Sequence, residues 1–155
     1  ASKNLEKLNL SGNCFGLRSS KVISKAIADN VTIKEINLSK NRFDDDSGVF
    51  IAEGISKSVY IEKINLAGNC FSVKTITSMI QALIQNNSIK ELNMSNCKIR
   101  ADLIIKLIKE IESVETICTL DLSYNYLENC HKKDIIEFLT NMGDLNLKKI
   151  NIAVF

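Results

Sequence analysis

The pattern Leu5-x-x-Leu8-x-Leu10-x-x-Asn13-x-Phe15 returns four times at a constant step of 28 residues. Its copies open at Ile33, Ile61, Ile89 and Ile117 and close at Phe43, Phe71, Ile99 and Leu127. Their ninth position holds Asn41, Asn69, Cys97 and Asn125. A sixth copy starts as Leu147-x-x-Ile150-x-Ile152 after a two-residue insertion, and Phe155 falls where its asparagine is expected. A fixed period of this length confines the chain to stacked units. Each unit is too small to bury its own apolar face and must use its neighbours.

Each recurring place in the unit has a physical reason. A short strand such as Lys7 to Ser11 alternates its side chains, which points Leu8 and Leu10 inward and Lys7, Asn9 and Ser11 outward. The chain then turns away from the sheet and leaves backbone groups that no strand or helix can satisfy. An amide at the ninth position can serve them. Asn13, Asn41, Asn69, Cys97 and Asn125 therefore form a structural ladder rather than a ligand site.

Between the strands lie helical stripes: Val22, Ile23, Ala26 and Ile27; then Phe50, Ile51, Gly54 and Ile55; then Met79, Ile80, Leu83 and Ile84. Later stripes are Ile104, Leu107, Ile108 and Ile111, and Ile135, Ile136, Phe138 and Leu139. Candidate N-caps are Ser19 or Ser20, Asp46 or Ser47, Thr75, Asp102 and Asn129. The expected result is a parallel sheet with strands centred on Asn9, Asn37, Asn65, Asn93, Asp121 and Asn151, with helices on its other side.

A strand and a full helix repeating at 28 residues resembles the ribonuclease-inhibitor type of leucine-rich repeat, over essentially the whole chain. That resemblance implies an α/β fold: a right-handed leucine-rich-repeat solenoid, or horseshoe segment, with a parallel inner sheet and outer helices. Residues 1–155 would form a single array of five full repeats and a partial sixth, part of a longer chain. Such arrays, tropomodulins and ribonuclease inhibitor among them, grip protein partners along the concave sheet or the loops beside it. One branch, the GTPase-activating protein of Ran, acts on a GTPase through residues at the repeat edge. Of the three arginines here, only Arg42 lies in a turn that could serve that alternative.

Composition narrows the rest. With 45% hydrophobic and 25% charged residues the chain is foldable, and a net charge of +2 with mixed signs makes no case for nucleic acid or an anionic membrane. No apolar run approaches the roughly 18 residues of a membrane span. The five cysteines match no zinc or disulfide framework. Cys14 and Cys70 stand two layers apart, roughly 10 Å at the strand spacing, beyond disulfide reach. Sequons at Asn9, Asn37 and Asn93 would put glycans on the open face. Both features suit a cytoplasm, the cell's own or, for a bacterial effector, that of a host. Abundant Ile, Asn and Lys fit an AT-rich genome and such an effector; a sensing arm of a larger protein fits equally.

Catalytic chemistry finds little support. His131 is the one histidine, so neither a triad nor a multi-histidine metal site can be built. Asp44-Asp45-Asp46 lacks the spacing of a calcium loop and suits a helix N-terminus. No glycine-rich phosphate loop is present, and no cofactor or metal is expected. Outward strand positions carry two charge ladders of opposite phase, Lys7, Glu35, Lys63, Glu91 and Glu6, Lys34, Glu62, Lys90, which should pair across the sheet. Asn9, Asn37, Asn65 and Asn93 are expected to stack amide on amide. The alternation breaks in the last repeats, where Thr119, Asp121, Tyr124, Tyr126, Lys148 and Lys149 form the expected partner-binding group. An uncovered last strand could also associate with another copy.

Overall fold

A computed structural model describes residues 4–127, 140 and 147–152. Six strands form one sheet in chain order: β1 (Lys7–Asn9), β2 (Glu35–Asn37), β3 (Lys63–Asn65), β4 (Glu91–Asn93), β5 (Thr119–Asp121) and β6 (Lys149–Asn151). Every neighbouring pair is parallel, and the register is one repeat: Leu8 faces Ile36, Ile36 faces Ile64, Ile64 faces Leu92. The sequence period thus becomes the sheet register.

The strands are centred on Leu8 and its equivalents, one residue before the expected asparagines. The cause is local. Asn9 Oδ1 accepts the Ser11 N–H at 3.0 Å, and Asn37, Asn65 and Asn93 repeat this two-residue turn. The turn takes the chain out of the ladder after two further bonds, in the first repeat Leu10 N–H to the Asn37 carbonyl and Gly12 N–H to the Ser39 carbonyl.

Among the described residues, four helices connect β1 through β5: α1 (Leu17–Ala28), α2 (Asp45–Lys57), α3 (Val73–Gln85) and α4 (Ala101–Glu110). They pack side by side, and the core lies between them and the sheet, from Ile27 through Leu38, Ile55, Leu66, Leu83 and Met94 to Leu120. Each helix begins about three residues before its expected cap. The N-caps are Gly16, Asp44, Ser72 and Arg100. Ser20, Ser47 and Thr75 lie inside the first turns, fully buried. The turn delivers the chain to the helix directly after Phe15 and its equivalents, which leaves no room for a longer connection.

That earlier start also sets the helical phase. α1 buries Ser20, Ile23, Ser24 and Ile27, whereas Val22 is 71% exposed and Ala26 is exposed. Ile84 is likewise exposed and Phe50 only half-buried. Small residues occupy the buried face because the helices approach closely. A Cβ on Gly54 would sit 2.6 Å from the Ser24 carbonyl oxygen, and one on Gly48 would sit 2.1 Å from Thr75 Oγ1. The expected fifth helical stripe with Asn129, Cys130 and His131, and residues 153–155, lie outside the described residues.

Candidate binding surface: the open sheet face and its turn edge

The sheet's outward face forms an open groove of about 480 Å³ running over five strands, lined by Lys7, Glu35, Lys63, Glu91, Thr119 and Asp121 among others. Its charges cancel in pairs. Lys7 bridges Glu35 at 3.0 Å and Lys63 bridges Glu91 at 2.8 Å; the second ladder pairs Lys34 with Glu6 and Lys90 with Glu62, both at 3.0 Å. The pairing is in twos, repeat one with two and three with four, rather than a continuous chain. Hydrogen bonds from Lys34 to Glu6 and from Lys63 to Glu91 raise both lysine pKa values. A surface that satisfies its own charges presents little net field to a ligand.

The outward asparagines do not stack amide on amide. Their Oδ1 atoms are taken by the N–H two residues on. At the fifth repeat Asp121 does the same for both the N–H and the hydroxyl of Ser123.

The ninth-position ladder is structural, and it links layers. Asn41 Oδ1 accepts the N–H groups of Asn13 and Phe15, while its amide donates to the carbonyls of Leu10, Leu38 and Ser39. Asn125 does likewise for Cys97 and Ile99. Asn69 accepts from Phe43 and donates to Leu38 and Leu66. Cys97 has no amide oxygen to offer. The Phe71 N–H turns to the Cys97 carbonyl instead, and the thiol donates to the Leu66 carbonyl at 3.2 Å. Burial pushes the Cys97 thiol up to about 12.

The six expected partner-binding residues fall into two groups. Thr119, Asp121, Lys148 and Lys149 sit on or beside β5 and β6; the two lysines are exposed and make no ion pair with any described residue. Tyr124 and Tyr126 project from the turn past the far end of β5, 46% and 49% exposed. Thr119 and Asp121 line the groove of the sheet face, whereas neither tyrosine does, so the two groups do not share one pocket. Arg42 is exposed in its turn, Arg18 lies in α1, and Arg100 is held by Asp102 at 2.8 Å. No described cluster of His, Cys, Asp or Glu could hold a metal ion.

A family model described as "Leucine Rich repeat" matches residues 1–18, 29–52 and 85–102, in phase with the strands and turns just described. The chain is built of leucine-rich repeats. Full helices at a 28-residue step make its repeats ribonuclease-inhibitor-like. Two solved structures share the fold. The actin-binding site 2 domain of leiomodin-1 superposes with a TM-score of 0.71 at 22% identity, covering 86% of this chain and 78% of that one. The C-terminal domain of a Caenorhabditis elegans tropomodulin gives 0.71 at 15% identity, covering 88% and 82%. No curated protein matches by sequence.

Two features of this leucine-rich repeat array escaped the sequence reading. Asn30, Ser58 and Asn86, again 28 apart, staple the return loops: Asn86 donates to the Ile55 and Ser58 carbonyls at 2.8 Å and accepts from Ser88 and Ile89. Their recurrence was the available signal. The other is the division of labour in Asp44-Asp45-Asp46. Asp44 caps its own helix by accepting the Ser47 N–H and hydroxyl. Asp45 instead accepts from Ser72 and Thr75 at the start of the next helix, and Asp46 pairs with Lys74. All three carboxylates are committed to the array itself.

Proposed function

We propose that this chain is a non-enzymatic interaction module that binds a protein partner through its open sheet face and the loops beside it. The observation that carries this reading is the break in the self-paired face. On the sheet face, repeats one to four neutralise their own charges, whereas repeats five and six present Thr119, Asp121, Lys148 and Lys149 without such pairing and two exposed tyrosines at the neighbouring turn. Exposed tyrosine beside unpaired charge is favoured anchor material in interfaces. The leiomodin-1 likeness makes actin a reasonable first partner to try. Free thiols at Cys14, Cys70, Cys97 and Cys118 suit a reducing cytoplasm. A host cytoplasm entered by an effector, or the sensing arm of a larger protein, is equally compatible.

The test is capture by purified actin and by cytoplasmic extract, comparing the native chain with the double variant Thr119→Arg, Asp121→Arg, which crowds the groove at its unpaired end. A specific protein held by the native chain and lost with the variant supports the reading. Identical capture by both would overturn it. Stimulated GTP hydrolysis by a small GTPase would favour the Ran-type alternative instead.

A further inference from the structure

The turn edge, where the chain leaves each strand, differs in charge from the rest of the array. Its two outermost positions over five repeats are Gly12 and Cys14, Lys40 and Arg42, Gly68 and Cys70, Asn96 and Lys98, Tyr124 and Tyr126. Ten places thus hold three cations, two tyrosines and no carboxylate. Lys40, Arg42, Lys98, Tyr124 and Tyr126 are all exposed. None of the three cations ion-pairs with a described residue, in contrast to the lysines of the sheet face. The nearby Asp44, Asp45 and Asp46 are each held by a helix start or by Lys74.

The backbone adds an independent observation. All five described non-glycine residues with positive φ stand on this edge: Cys14, Lys40, Asn96, Lys98 and Tyr124. Gly12 and Gly68 occupy the same turn position as Lys40, Asn96 and Tyr124 at matching angles, +71° and +70°. Glycine therefore suits this turn, and each side chain placed there carries a conformational cost. Retaining lysine and tyrosine against that cost points to a role for what those side chains present. Gly68 also leaves room for the Lys40 stem, whose Cγ would lie 3.3 Å from a Cβ there.

From these observations we infer that the turn edge is a docking strip for an extended acidic segment of a partner protein, its carboxylates meeting Lys40, Arg42 and Lys98 and its apolar residues meeting Tyr124 and Tyr126. The inference rests on the protein-binding reading above and names the partner's chemistry. Successive repeats lie about 4.8 Å apart along the edge, so Arg42 and Lys98, two repeats apart, match carboxylates spaced about 10 Å along a chain. Three cations are too few for the multiple phosphate contacts on which nucleic-acid affinity depends, and the tyrosines favour a polypeptide.

The probe is a fluorescein-labelled decapeptide with Glu at every third place and Leu and Ser between, which spaces carboxylates about 10 Å apart when extended, followed by anisotropy at low salt, with a ten-nucleotide oligothymidylate in parallel. The triple variant Lys40→Glu, Arg42→Glu, Lys98→Glu should weaken peptide binding about tenfold or more, as reversal of interfacial charge does. Arg42→Glu alone should lose several-fold, which carries the test if the triple variant does not fold. An equal charge change on the helices away from that edge, Lys25→Glu, Lys57→Glu, Lys106→Glu, should leave binding within about twofold, since distant exposed charges are screened. Tyr124→Ala with Tyr126→Ala should also weaken it. The inference fails if no peptide binds, if both charge-reversed triples weaken alike, or if the oligonucleotide binds as tightly as the peptide. Failure here with partner capture still sensitive to the Thr119→Arg, Asp121→Arg variant would remove the strip and leave the interaction module standing.

Discussion

Asp45 caps a helix to which it does not belong: its carboxylate accepts the Ser72 N–H at 2.7 Å and the Thr75 N–H at 3.1 Å, at the start of α3 one repeat on. Ser72, the N-cap of α3, makes no side-chain cap bond of its own. One residue therefore does the capping work of a neighbouring layer and ties two helices together.

Asp45→Ala should destabilise the array by about 1–2 kcal/mol, the usual loss when a capping side chain is removed. Partial burial works against the Asp45 charge, but the Ser72 and Thr75 hydrogen bonds outweigh it and the pKa is lowered. Asp44 is lowered too, by its Ser47 hydrogen bonds. The folded state thus takes up these protons less readily than the unfolded chain. Their stabilisation is full above the ordinary value of 3.8 and is lost as pH falls through the lower folded values. Melting followed from pH 6 to the acid limit should show a shallower acid fall for Asp45→Asn; an unchanged fall would argue against this cap.

Asn41→Ala and Asn69→Ala should each lower stability by about 1–3 kcal/mol, because backbone groups in two layers lose their partners inside the protein. Asn13→Ala should cost less. Asn13 is exposed and its amide serves only its own turn, at Leu10 and Ser11. Urea denaturation of the three variants checks the order, and equal effects would contradict the linkage between layers.

Gly54→Ala should be destabilising although alanine is better by about 1 kcal/mol in a free helix. The added methyl would meet the Ser24 backbone at 2.6 Å, and overpacking of this kind typically costs about 1–3 kcal/mol. A thermal melt showing a more stable Gly54→Ala protein would mean that α1 and α2 can separate without loss.

Tyr124 has φ 59°, so its two simplest replacements should differ. Tyr124→Gly should be more stable than Tyr124→Ala by about 1 kcal/mol, since alanine retains the left-handed penalty and glycine does not. Comparing the two variants cancels whatever contacts the tyrosine itself makes. Equal midpoints in chemical denaturation would show that the turn relaxes.

Period, register and ladder were legible in the sequence because each depends on a residue repeated at 28. Leu8, Ile36, Ile64 and Leu92 had to share one face, and Asn41 and Asn69 had to meet the same kind of turn. The charge ladders could be matched by counting, since an in-register parallel sheet places Lys7 beside Glu35 by construction. The exposed positions of Tyr124 and Tyr126 followed from the same counting.

What counting could not supply was decided by packing between layers. The helix starts follow from where the stacked turns release the chain, and the small residues on the buried faces from how closely α1 and α2 approach, as Gly54 does against Ser24. Val22 and Ile23 are equivalent as apolar residues, yet one is exposed and the other buried. The outward asparagines chose the N–H two residues on over one another because the bending chain brings that donor within 3.0 Å. The cross-repeat cap of Asp45 exists only once two helices are stacked, since donor and acceptor lie about one repeat apart in the chain. A single sequence shows which residues recur; only the stacked layers settle which of them touch.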